Sequence, residues 1–176
     1  MDKVLEYFIK EPEKEFYIRE LAKLIKKSPT TTSKYLDEFG KKGILNSRRK
    51  FNHLLYKANN ENAYFKNLKL LYNLNKLRSS GFIEYLVEEY NHPEAIVLFG
   101  SFAKAEDIPG SDIDILIVTP LKKEIALSAF ETKLGRKVQL FIHSQADIER
   151  MKTKNKELLN NFINGIVLAG YLEIFK

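Results

Sequence analysis

The chain contains no cysteine, which excludes disulfides, thiol nucleophiles and any metal site built on sulfur. Histidine is nearly as scarce: three scattered residues make no ligand cluster. No apolar run approaches the roughly 20 residues needed to cross a bilayer. The amino-terminal MDKVLEYFIK does not have the form of a signal peptide. Neither internal repeats nor low-complexity tracts occur. What is present is ordinary for a globular protein: 176 residues, 44% of them hydrophobic, enough for a real core. The expectation is a cytoplasmic protein of one domain or two small ones, with no membrane partner.

Charge divides the chain. Residues 1–78 hold 18 Lys/Arg against 9 Asp/Glu, a balance of +9, whereas residues 79–176 hold 11 against 14, a balance of −3. A basic half joined to a mildly acidic one suggests a polyanion-binding module fused to a domain of another kind. A Lys-rich solvated surface gives the same count, so charge alone leaves both readings open.

The basic half has its own periodicity. Val4, Leu5, Phe8 and Ile9 recur at helical spacing up to Glu11-Pro12, and Ile18, Leu21, Ala22, Leu24 and Ile25 mark a second amphipathic helix after a short extended piece, Glu15 to Tyr17. Ser28-Pro29 supplies an N-cap and an N1 proline for a third helix, with Thr32, Tyr35, Leu36 and Phe39 as its expected buried face and Gly43 as its stop. Two β-rich runs follow, Ile44 to Arg48 and Leu54 to Lys57, around a basic tip. Three helices and a hairpin in this order resemble a winged helix-turn-helix, and YIRELAKLIKKSPTTTSKYLDEFGKKGIL is similar to the wording of many archaeal and bacterial regulators. The resemblance implies duplex DNA as partner. Thr30, Thr31, Ser33 and Lys34 would then face bases or phosphates in the major groove, with Arg48, Arg49, Lys50 and His53 gripping phosphate from the wing. A solvated hairpin, or a module for protein contacts, remains the alternative.

Asn59-Asn60-Glu61-Asn62 is a polar break, and Ala63 to Leu77 reads as a helix whose apolar residues cover more than one face. Such a helix is expected to pack on the second domain and to offer a surface for a second copy. The expected organisation is a DNA-binding domain at 1–58, a linker helix at 59–78 and a further domain at 79–176.

That further domain carries the most specific pattern in the chain. An apolar strand, Ala95 to Phe99, runs into Gly100-Ser101; ten residues later comes Asp112-Ile113-Asp114, opening a second apolar strand. A small-residue turn after a buried strand can open a helix whose free N–H groups hold phosphate. Alternation along a strand points Asp112 and Asp114 the same way, about 6.6 Å apart. Two such carboxylates repel each other, and a hard divalent cation relieves them.

Gly-Ser, ten residues, Asp-x-Asp, together with Phe99 and Ser111 in their flanks, resembles the nucleotidyltransferase superfamily of DNA polymerase β, and in particular its minimal members, over residues 80 to 176. The resemblance implies an α+β fold in which a small mixed sheet carries Mg²⁺ (or Mn²⁺) on Asp112 and Asp114. A nucleoside triphosphate, expected to be ATP, would lie against Gly100, Ser101 and Lys104. Lys104 is equally well read as a solvated helix lysine. Family members that transfer nucleotides usually carry a third carboxylate on a following strand; here that strand is Lys137 to Ile142, and Gln139 stands at the position, unable to act as a base. Lys104-Ala105 stands where the family often has a basic residue and glycine.

Downstream, helices are expected at Lys122 to Leu134, Ala146 to Met151 and Glu157 to Ala169, with Tyr171 to Phe175 extended. His143-Ser144 reads as a helix start. Two functions are compatible with these residues. One is transfer of a nucleotidyl group, expected to be AMP, to an acceptor. Minimal nucleotidyltransferases can adenylylate HEPN-type proteins, which makes a protein acceptor one expectation. The other is a transcriptional regulator whose nucleotidyltransferase-like domain is inactive and serves nucleotide sensing or dimerisation.

Overall fold

The structure is a computed structural model that describes residues 3–175. Contacts divide the chain between Lys69 and Leu70 into two compact units.

The first unit opens with α1 (Lys3–Lys10), whose Val4, Leu5, Phe8 and Ile9 are buried. Next come β1 (Phe16–Tyr17), α2 (Ile18–Ile25) and α3 (Pro29–Lys41). Ser28 caps α3: its hydroxyl accepts from Thr31 N at 3.1 Å, and the buried Thr32 hydroxyl donates to Ser28 O at 2.9 Å. Leu36 and Phe39 complete the buried face. Tyr35, expected with them, is 36% exposed; a residue one position from Leu36 sits about 100° round the helix, at the edge of the apolar stripe.

Strands β2 (Leu45–Lys50) and β3 (His53–Ala58) form a hairpin, and β1 pairs with β3 to complete an antiparallel sheet in the order β1-β3-β2. The hairpin turn is only Phe51-Asn52, both left-handed at φ 46° and 59°, the primed turn that matches strand twist. The strands therefore run further into the basic tip than the apolar pattern indicated. Buried Tyr56 donates to Asp37 Oδ1 at 2.6 Å, tying β3 to α3; burial, then this carboxylate, raises the phenol well above its ordinary range.

Helix α4 (Ala63–Ser79) runs across the division between the units. In the second unit it is followed by α5 (Phe82–Glu89), β4 (Ala95–Phe99), the single turn α6 (Gly100–Ala103) and β5 (Ile113–Val118). Then come α7 (Ser128–Leu134), β6 (Val138–His143), α8 (Gln145–Lys154), α9 (Lys156–Ile163) and β7 (Ile166–Gly170). The sheet order is β6-β5-β4-β7. β4 is antiparallel to both neighbours, whereas β5 and β6 are parallel because α7 crosses between them. This is a mixed α+β unit.

Alternation along β4 and β5 sorts the core. Ile96, Leu98, Ile113, Ile115 and Ile117 pack with Leu77, Phe82, Leu86 and Leu134 on one face. Ala95, Val97, Phe99, Leu116 and Val118 pack with Ile148, Leu159 and Phe162 on the other. Each such aliphatic or aromatic side chain contributes roughly 1.5–3 kcal/mol by leaving water, so the two central strands are the rigid floor on which the motif is built.

Two helices differ from the expected ones. α7 begins at Ser128 rather than Lys122. In the segment before it, Tyr90 donates to Lys123 O at 2.9 Å and Tyr85 to Ala126 O at 3.1 Å, so side chains occupy carbonyls that a helix would have used. The closing helix stops at Ile163, and Ile166–Gly170 is a strand on β4. A continuous apolar run has no period to distinguish strand from helix. The close approach decides it: a Cβ on Gly165 would stand 2.6 Å from Leu98 O. Tyr171 to Phe175, expected to be the extended piece, lies beyond that strand.

Candidate active site

The two halves of the Gly-Ser/Asp-x-Asp pattern meet at the end of β4. Phe99 is the register partner of Asp114, and the chain leaves β4 through Gly100 at φ +71°. The Asp114 carboxylate occupies the space where a side chain at Gly100 would begin: a Cβ there would overlap Oδ2 and stand 3.2 Å from Cγ. Only glycine satisfies both the left-handed backbone and this approach. Ser101 follows, half-buried, and Lys104 is exposed at the end of α6. Ala105, where the family often has glycine, takes φ 56° and is buried.

Asp112 is exposed just ahead of β5, and Asp114 is half-buried two residues on. Burial raises the Asp114 carboxyl above its ordinary range, and the charge of Asp112 raises it further. The two groups therefore feel each other, and a divalent cation between them would relieve that repulsion; the donor set fits a hard, oxygen-seeking ion. Among the described residues no group of three or more His, Cys, Asp and Glu is placed so that it could hold a metal ion. Level with Asp114 on β6 stands Gln139, its register partner, exposed.

Side chains far away in sequence hold the segment between the two halves, and nothing in the sequence pattern marked them. Asn73, Asp107 and Arg136 form a buried or half-buried polar group beside it, with Asp107 only 2% exposed. The segment also braces itself: Ile108 N donates to Ser111 Oγ at 3.0 Å, and Ser111 N returns to Ile108 O at 3.0 Å.

The first unit holds the other candidate residues. Thr30, Ser33 and His53 line one open groove of about 1080 Å³ together with Arg19, Lys23 and Leu24. Arg19 and Lys23 had no place among the candidates, because on sequence they read as the polar face of an ordinary helix. Thr31 is half-buried and its hydroxyl lies 2.9 Å from that of Ser28, so it serves the helix cap. Lys34 is exposed. The hairpin cations are not equivalent. Arg48 donates to Glu15 through one edge of its guanidinium, Nε to Oε1 and Nη2 to Oε2, the latter at 2.6 Å. Arg49 and Lys50 are exposed, and alternation puts Arg49 on the opposite face of β2 from its neighbours. His53, paired with Lys50 across the hairpin, meets Tyr17 edge-on at 5.7 Å.

A search of curated proteins gives no match. Residues 82–171 match the family described as polymerase beta, nucleotidyltransferase. That stretch includes β4, Gly100, Asp112, Asp114 and Gln139 and covers just over half of the chain, so this protein belongs to the polymerase β nucleotidyltransferase family.

Proposed function

We propose that the second unit binds a nucleoside triphosphate with Mg²⁺ at Gly100, Ser101, Asp112 and Asp114, and transfers its nucleotidyl group to an acceptor. The observation that carries this reading is the seat of the Asp114 carboxylate against Gly100, which brings the Gly-Ser turn against one member of the carboxylate pair. The Ser101 hydroxyl and the N–H groups opening α6 donate to the outgoing phosphates, and Lys104 is near enough in sequence to add charge. Asp112 and Asp114 would hold Mg²⁺, which would supply positive charge against the phosphate oxygens and Lewis acidity at the α-phosphorus. The acceptor oxygen would form its bond to that phosphorus as the bridge to the β-phosphate breaks, pyrophosphate would depart, and the acceptor's proton would pass to solvent water. ATP is the nucleotide we favour, and a HEPN-type protein is among the acceptors that the reading admits.

We propose that the first unit is a winged helix that binds duplex DNA. Its order of helices and hairpin supports this, as does the groove that gathers Thr30, Ser33, His53, Arg19 and Lys23 at the start of α3. α3 would enter the major groove, and Arg49, Lys50 and His53 would meet phosphate. Arg48, engaged with Glu15, is the weakest member of that set.

A second reading is favoured by one specific observation. Gln139, level with Asp114, cannot take a proton from a hydroxyl acceptor, so the domain would bind nucleotide and regulate DNA binding without chemistry. One experiment separates the two. The full chain is incubated with α-labelled ATP, Mg²⁺ or Mn²⁺, and cell lysate. Label fixed on an acceptor, and lost with Asp112→Asn, supports transfer; binding without label supports the regulator.

A further inference from the structure

The segment that separates the two halves of the site is held by a polar group that the reaction itself does not require. Asp107 accepts from Asn73 Nδ2 at Oδ1, 3.0 Å, and from Arg136 Nη2 at Oδ2, 3.1 Å. Arg136 Nη1 also donates to Ile108 O and, at 3.3 Å, to Ser111 O, the carbonyl immediately before Asp112. The same Asn73 Nδ2 reaches Phe102 O in α6 at 3.3 Å. Both ends of the motif are therefore tied: the Gly100-Ser101 turn through Phe102 to Asn73, and the carboxylate end through Ser111 to Arg136. As a stabilising device this is a poor choice. Apolar side chains of the same volume would fill the space without taking a carboxylate and a guanidinium out of water. What the polar group supplies is geometry, because a planar guanidinium fixes the carbonyls and carboxylate it touches in one arrangement.

We propose that Arg136 and Asn73 are positioning residues of the nucleotide site, Arg136 setting the direction of Asp112 and Asn73 setting the turn that opens α6. This rests on the nucleotide-binding reading above. Neither residue touches the triphosphate; each acts through the segment 102–111.

The test is calorimetric titration of the full chain with ATP, in Mg²⁺ and in EDTA, beside a thermal unfolding curve for each protein. Arg136→Lys keeps a cation facing Asp107, which protects the fold, but a single ammonium cannot span Asp107, Ile108 and Ser111 together. Its Mg²⁺-dependent ATP affinity should fall about tenfold to a hundredfold, the usual loss when a ligand's supporting group is removed. Its metal-free affinity, which depends on the Gly100-Ser101 end, should stay at the parent's value. Asn73→Ser should lower both affinities, because it releases Phe102. A folded Arg136→Lys protein with the parent's Mg²⁺-dependent affinity overturns the proposal. For Arg136→Lys, so does a loss shared equally by both conditions, which would mean a structural role only; for Asn73→Ser, so does a metal-free affinity equal to the parent's, or a loss that comes with a collapsed unfolding curve. A parent that binds no ATP under either condition fails at the earlier step and refutes the nucleotide site itself.

Discussion

Gly100→Ala probes the contact on which the site is built, and Gly81 provides its control. Both glycines are left-handed, at φ +71° and +77°, but a Cβ at Gly81 would meet nothing within 4 Å whereas one at Gly100 would overlap the Asp114 carboxylate. Holding an L-residue in this conformation costs roughly 1–2 kcal/mol, and alanine's narrower unfolded ensemble offsets about 0.4–1 kcal/mol of it. Gly81→Ala should therefore destabilise by about 0–1.6 kcal/mol, centred near 0.8. Gly100→Ala carries the same term and must also push Asp114 off its rotamer, roughly 0.5–1.5 kcal/mol more. In urea unfolding the Gly100 variant should lose about twice what the Gly81 variant loses. The distinguishing effect is on ligand: with Asp114 displaced, ATP–Mg²⁺ affinity measured by calorimetry should fall by about tenfold or more, equivalent to about 1.4 kcal/mol, while Gly81→Ala binds like the parent. Equal stability losses, with ATP–Mg²⁺ affinity intact in Gly100→Ala, would refute the reasoning.

Further outcomes follow from the same geometry. Asp114 ionises with more difficulty in the fold than in the unfolded chain, so its charge costs stability as pH rises through and above its ordinary value of 3.8. Asp114→Asn should therefore be more stable than the parent at pH 7.5, with the gain shrinking as pH falls toward 3.8; a pH-independent difference in urea midpoints would contradict this. Gln139→Asp should speed transfer to a hydroxyl acceptor if the parent transfers at all, by up to the ~10²–10⁴-fold that a general base typically contributes; an unchanged rate in single-turnover assays would place the base elsewhere. For the first unit, each phosphate contact should contribute about −0.9 to the slope of log affinity against log salt. Neutralising Arg49 and Lys50 should flatten that slope in fluorescence titrations with duplex DNA, whereas Arg48→Gln, already tied to Glu15, should change it less. Affinity indifferent to Arg49 and Lys50 would assign the hairpin to protein contacts.

Much of this architecture is legible in the sequence, for identifiable physical reasons. Gly100, Ser101, Asp112 and Asp114 stand out because a Gly-Ser turn after an apolar strand and two carboxylates one residue apart leave few alternatives in residue type or spacing. Ser28-Pro29 marks the start of α3 for a similar reason, the chemistry of an N-cap. β7 is hidden because Ile166 to Gly170 carries no period, and its pairing with β4, entered through the close approach of Gly165 to Leu98 O, is not visible locally. The first half of the expected helix at Lys122 is lost to tyrosine hydroxyls that arrive from α5 and its end. Asn73, Asp107 and Arg136 lie 34 and 29 residues apart, and a contact of that kind leaves no mark on local pattern. The pairing of Arg48 with Glu15 is equally invisible before the strands are in register.

The central claim is that one cation-dependent nucleotide site is formed where β4 and β5 meet. It is tested most directly by calorimetric titration of ATP into the parent and into Asp112→Asn/Asp114→Asn, each with and without Mg²⁺. The account predicts that the parent binds ATP more tightly with Mg²⁺, and that the double variant, still folded by circular dichroism, loses that Mg²⁺-dependent increment entirely. A double variant that binds ATP–Mg²⁺ as the parent does would contradict it.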